Sequence, residues 1–164
     1  MMKKIFFLII ICIHLISCQK EETKFIPLKK HSGESFFDRG NYKGKRFAYK
    51  SILVDNPPVQ NNEIIKMFAK YGNKNLNDFH KKADIYSITL FFYLNNNSTS
   101  YFIDNADDSG GFSSEVLNDY YQEFGIGEIT FDRCENDKNK WTSKISYFDA
   151  QRNVKDTILT NCVK

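Results

Sequence analysis

Apolar and polar residues alternate most clearly over Ile85–Leu94 (IYSITLFFYL), where Tyr86, Ile88, Leu90, Phe92 and Leu94 share one face. The other face carries Ser87 and Thr89 but also Phe91 and Tyr93, and no charge occurs between Asp84 and Asp104. This predicts a central strand buried on one face and partly covered on the other. Residues 46–54 (RFAYKSILV) are rich in aromatic and β-branched side chains and read as an earlier strand. Asp55-Asn56-Pro57-Pro58 ends it, because proline cannot donate to a ladder. The period then becomes helical. Ile64, Ile65, Met67, Phe68 and Tyr71 form one apolar face after a cap at Asn61 or Asn62, and Gly72-Asn73 reads as the stop. A short second helix is expected over residues 76–83.

After the turn Asn95-Asn96-Asn97, residues 99–103 are expected to return as a partner strand. The polar loop DNADDSGG leads to a helix capped by Ser113 or Ser114. Its stripe is Val116, Leu117, Tyr120, Tyr121 and Phe124, and Gly125 ends it. Strands over residues 128–134, 141–148 and 154–163 finish the chain, joined by hairpin-like connections. This order predicts an α+β domain: a mainly antiparallel sheet of about six strands with two or three helices packed on one side.

The N-terminus follows a different pattern. Lys3 and Lys4 precede a nearly unbroken apolar run over residues 5–16. At 1.5 Å per residue the run spans about 18 Å, short of the about 30 Å of a bilayer core. It therefore reads as the hydrophobic region of a signal peptide. The run ends in Leu15-Ile16-Ser17-Cys18, which resembles the lipobox of bacterial lipoproteins. The resemblance implies that Cys18 is acylated and becomes the mature N-terminus in a lipid bilayer. Gln19, Lys20, Glu21 and Glu22 follow directly and are similar to the surface-export signal of Bacteroidota lipoproteins, a lysine followed by two acids. That likeness implies an outer-membrane protein facing outward from the cell. The expected organisation is a signal peptide over 1–17, a flexible tether over 18–33 containing Pro27 and Gly33, and a single domain over 34–164.

Aromatic residues make up 15% of the 164-residue chain, enough for a packed core, and global disorder is excluded. The formal charge of +3 is too small to argue for nucleic acid. Its distribution is more telling. Residues 38–82 are rich in Lys and Arg, whereas residues 84–137 carry many acids and a single cation, Arg133. The segregation fits solvated faces, or an acidic surface that attracts a basic protein or a cation. Once Cys12 leaves with the signal and Cys18 takes lipid, Cys134 and Cys162 remain, and in an oxidising compartment they are expected to pair. In a simple meander the first and third of the last three strands lie about 9.5 Å apart, beyond the about 7 Å that a disulfide tolerates. Either the cysteines meet at strand ends, or the last strand is not third in spatial order.

Chemical constellations are sparse. Asp104, Asp108 and Glu115 occupy positions 1, 5 and 12 of an EF-hand-like loop, a weak calcium candidate. Ala106 offers no ligand and Ser109 replaces the turn glycine, so a plain polar loop is the stronger reading. His80 is the only histidine expected in the folded part, with His14 in the signal and His31 in the tether. No zinc spacing, nucleophile elbow or phosphate cradle is present, and no cofactor is expected. Trp141, Tyr101, Tyr120, Tyr121 and Tyr147 read mainly as core, with a recognition surface as the alternative. The chain thus reads as a non-enzymatic surface lipoprotein whose domain binds a protein, in one version an immunity-type protein masking a basic toxin. The alternatives are a periplasm-facing envelope-assembly or structural lipoprotein, and a small-ligand carrier or hydrolase.

Overall fold

The computed structural model describes residues 22–80, 82, 84–105, 117 and 119–162. Six strands form one mixed sheet: β1 (Lys24–Phe36), β2 (Arg46–Asp55), β3 (Ile85–Leu94), β4 (Gly125–Arg133), β5 (Trp141–Phe148) and β6 (Val154–Thr160). Spatial order equals chain order, and only β2 and β3 run parallel. That pair needs a crossover, supplied by the helix α1 (Asn61–His80). A second short helix, α2 (Tyr121–Phe124), leads into β4. The domain is mostly sheet, with few helices. Among the described residues no helix is long and apolar enough to cross a membrane.

The parity of β3 organises both cores. Ile88, Leu90 and Phe92 face α1 together with Ile52, Ile129 and Ile145, and Phe68 of α1 stacks on Phe92 at 4.2 Å. On the other face Tyr93 meets Leu28, Leu53, Phe102 and Leu117 in a smaller cluster. Tyr121 of α2 also packs edge-on against Phe91 and Tyr93 there. The expectation that the helices share one side is therefore corrected. The odd positions of β3, with Phe91 and Tyr93, are apolar enough to require a partial cover of their own.

Three further expectations change. Residues 24–33, expected as part of the tether over 18–33, belong to β1, so the sheet begins at Lys24, before the domain start expected at residue 34. β1 pairs with β2 through a register shift between Leu28 and Gly33. Within it, the Ser32 hydroxyl donates to the Leu28 carbonyl (2.7 Å) and accepts from the Ser51 amide (3.2 Å), patching the interrupted ladder. Pro27 and the exposed Lys29 and Lys30 suit an edge strand, which must discourage further pairing.

The return strand expected at 99–103 is instead a 3-10 turn, Ser100–Ile103. Asn96 Oδ1 accepts from the Ser98 and Thr99 amides (2.8 and 3.0 Å), and the buried Thr99 hydroxyl donates to the Leu94 carbonyl (2.6 Å). These side chains supply the backbone with local partners in place of a ladder.

The helix stop expected at Gly72-Asn73 is absent, and α1 continues to His80. Gly72 serves close packing: a Cβ there would lie 2.9 Å from Phe131 Cζ and 3.0 Å from Ile129 Cδ1. The separate helix expected over 76–83 is the last part of α1 as far as residue 80. The cap expected at Ser113 or Ser114 lies outside the described residues.

Candidate functional site

The Cys134–Cys162 disulfide forms, with Cα atoms 5.7 Å apart. β6 is third in spatial order beside β4 and β5, so the bridge is made at strand ends. Cys134 follows the last residue of β4 and Cys162 lies beyond Thr160, past the start of β5. Closing a loop of 28 residues restricts the unfolded chain by about 3–4 kcal/mol on the entropy account.

The calcium candidate is not assembled among the described residues. Asp104 is exposed after the 3-10 turn, and its backbone carbonyl accepts from Lys30 Nζ. Asp108 and Glu115 lie outside the described residues, as do Cys18, Gln19, Lys20 and Glu21. Among the described residues no group of three His, Cys, Asp or Glu side chains is placed to hold a metal. His80 is the last residue of α1. It is not the sole histidine of the fold: His31 is buried in β1, its Nε2 2.7 Å from the Asn105 carbonyl oxygen and its ring edge-on to Phe102. Of the aromatic residues considered for recognition, Trp141 and Tyr147 belong to the main core and Tyr120 and Tyr121 pack on the second, while Tyr101 is exposed.

Among the described residues a cleft opens at each end of the sheet. At the Arg46 end a cleft of about 480 Å³ is walled by Tyr86, Arg133 and Cys134. Arg46 and Asp84, which also line it, form an ion pair, and Glu34 bonds both Arg46 and Lys82. The Arg46 guanidinium holds the Asp84 carboxyl below the usual range. At the Lys24 end a wider cleft of about 760 Å³ runs along α1, floored by Phe25, Met67 and Tyr71 and edged by Lys66, Lys70 and Lys74. This lysine series at i, i+4 and i+8 is readable in the sequence as one helix edge, although the charge count alone does not single it out.

The face of the sheet opposite α1 carries the acids Glu128, Asp132 and Asp156. Across the strands run Ser51–Phe91–Glu128–Ser146–Asp156 and, beside that row, Tyr49–Thr89–Thr130–Lys144–Ile158. Tyr49, Thr89 and Thr130 are half-buried, Lys144 and Ile158 exposed. Thr89 and Thr130 hydroxyls meet at 3.2 Å, and Lys144 pairs with Asp156 at 2.8 Å. Glu128 is the unusual member. Burial raises its carboxyl above the ordinary range, partly offset by Lys144 and by the Tyr121 hydroxyl, which donates to it. Burial and the Glu128 charge push the Tyr121 phenol up.

Ionising Glu128 is therefore harder in the folded chain than in the unfolded one. Its contribution to stability is complete below the unfolded pKa and is lost as pH rises through the folded one. Glu128→Gln keeps an acceptor for Tyr121 and removes the charge. We expect it to raise stability near pH 7 by about 1 kcal/mol or less, since solvent reaches part of the group. The gain should vanish below pH 4, and melting of both proteins from pH 4 to 8 checks it. A lower melting temperature for Glu128→Gln at pH 7 would contradict this account.

Comparison with protein families, curated proteins and solved structures finds no match, so the functional reading rests on this chain's own residues.

Proposed function

We propose that this chain is an outer-membrane lipoprotein, acylated at Cys18 and presented at the cell surface through Gln19, Lys20, Glu21 and Glu22. Its domain is a non-enzymatic binding module for a basic protein, as an immunity-type masking protein would be. The observation that carries the reading is the succession of basic residues, apolar run, Leu15-Ile16-Ser17-Cys18 and β1, with β1 starting six residues after that cysteine. Substituting Cys18→Ala should abolish labelling by a fatty-acid probe and release the protein from the membrane fraction. Undiminished labelling of the variant would refute the anchor.

The sheet face opposite α1 supports the binding part. It combines half-exposed Tyr49, Thr89 and Thr130 with the acids Glu128, Asp132 and Asp156 around the single lysine Lys144 of those rows, a surface of net negative charge suited to a cationic partner. A photo-crosslinking residue at Thr130 should capture a discrete protein of high pI on intact cells. The same residue at Asn73, on the exposed edge of α1, should not capture it. Equal capture at both positions, or none at Thr130, would remove this face from the proposal.

A further inference from the structure

The shortened tether places the domain close to its anchor. From Cys18 to Lys24 the chain can reach at most about 20 Å, even fully extended. Glu22 and Thr23 border the wide cleft along α1, and the Thr23 hydroxyl donates to the Asn56 carbonyl at 2.8 Å. The loop fastened there displays Val59, which is 93% exposed. Pro57 and Pro58 stiffen this loop, so the apolar side chain is held out in water.

Lys66, Lys70 and Lys74 are all exposed and follow one edge of the helix over about 12 Å, close enough to a straight line for three ammonium groups to touch one plane. Lys50 stands behind them, donating to Asn75 Oδ1 at 3.3 Å. The acids lining the cleft are Glu22 and Glu63, and Glu63 bonds Lys66 at 2.9 Å.

We infer that this edge of α1, with Val59 at its leading end, seats on the anionic lipid headgroups of the bilayer that holds Cys18. The inference rests on acylation of Cys18 and adds which face the domain turns to the membrane. Anionic headgroups attract lysines near the surface, and an exposed apolar side chain beside them enters the headgroup layer. A short tether gives the site a millimolar effective concentration, so an intrinsically weak contact is occupied. The acids Glu128, Asp132 and Asp156 lie on the other face of the sheet and would be repelled from the same surface. The two faces together therefore select one orientation, with the acidic face outward.

The test uses the mature acylated protein in phosphatidylcholine vesicles with and without phosphatidylglycerol. Amine-reactive labelling read by mass spectrometry should fall about fivefold at Lys70 and Lys74 when phosphatidylglycerol is present, and recover in high salt. Lys138, in the hairpin at the far end of the sheet, serves as the unaffected reference. A polarity-sensitive dye on Val59→Cys should shift to the blue on the anionic vesicles. That shift should disappear when Lys66→Gln, Lys70→Gln and Lys74→Gln are combined, three exposed changes that remove the positive charges and, with them, the weak Glu63–Lys66 surface pair. Equal labelling in both vesicles, with the acyl mass present on Cys18, would overturn the docking alone. Absence of the acyl mass would overturn the anchor and the docking together.

Discussion

Gly127→Ala is expected to destabilise the domain by about 3–5 kcal/mol, a drop of about 10 °C or more in melting temperature. β3 and β4 pair with a register shift: Phe92 faces Gly127, Tyr93 faces Gly125, and Ile126 is left over as a bulge. Gly127 holds φ at 154°, a conformation that L side chains rarely adopt. A Cβ there would lie 2.4 Å from the Ser146 carbonyl oxygen, 2.7 Å from Tyr147 Cα and 2.8 Å from Phe68 Cε2. Two of those atoms are backbone of the neighbouring strand, and the third belongs to the ring stacked on Phe92, so no flexible side chain can yield. Gly44→Ala provides the comparison. Gly44 has φ 80° with open space around it, and should lose only about 1 kcal/mol through the backbone. Thermal melts of both variants decide the matter. A Gly127→Ala loss no larger than that of Gly44→Ala would show that the bulge relaxes freely.

The alternation of β3 was legible because its even positions face one continuous core and its odd positions a partial one. β5 was legible for the same reason, and both ends of the disulfide followed from counting cysteines. β1 was hidden because its alternation is broken by Pro27, by the Lys29-Lys30 pair and by the register shift before Gly33. A window over those residues resembles a polar spacer, and only pairing with β2 reveals a strand. Gly72 misled for a related reason: a glycine near a helix end and a glycine under a packed ring look alike in sequence. The lysine edge of α1 was written in the spacing of Lys66, Lys70 and Lys74. Its meaning depends on where β1 begins, which is tertiary information. The open face likewise combines residues from five strands, and no local window contains it.

Arg133→Met is expected to cost about 2–4 kcal/mol although it replaces a cation with an apolar side chain of similar length. Arg133 is the single cation in the acidic stretch 84–137, and charge balance alone would assign it a place among solvated ion pairs. Instead it is buried. Its Nε donates to the Ile85 carbonyl (2.9 Å), one terminal nitrogen to the Lys82 carbonyl (3.1 Å) and the other to the Lys138 carbonyl. The guanidinium lies 4.5 Å from the centre of the Trp141 ring. Burial lowers its pKa from the usual arginine value, with Asp84 acting the other way. The fork thus ties the start of β3 to the hairpin beside Cys134, where the disulfide closes the far edge. Methionine would fill the space over Trp141 but leave those carbonyls without this donor. Arg133→Lys keeps the charge yet lacks the planar fork, so it should recover less than half of the loss. Urea unfolding of the oxidised protein measures both. An unfolding free energy for Arg133→Met within about 0.5 kcal/mol of the parent, the scatter of neutral surface changes, would mean that solvent satisfies the carbonyls and that the disulfide alone holds this end of the sheet.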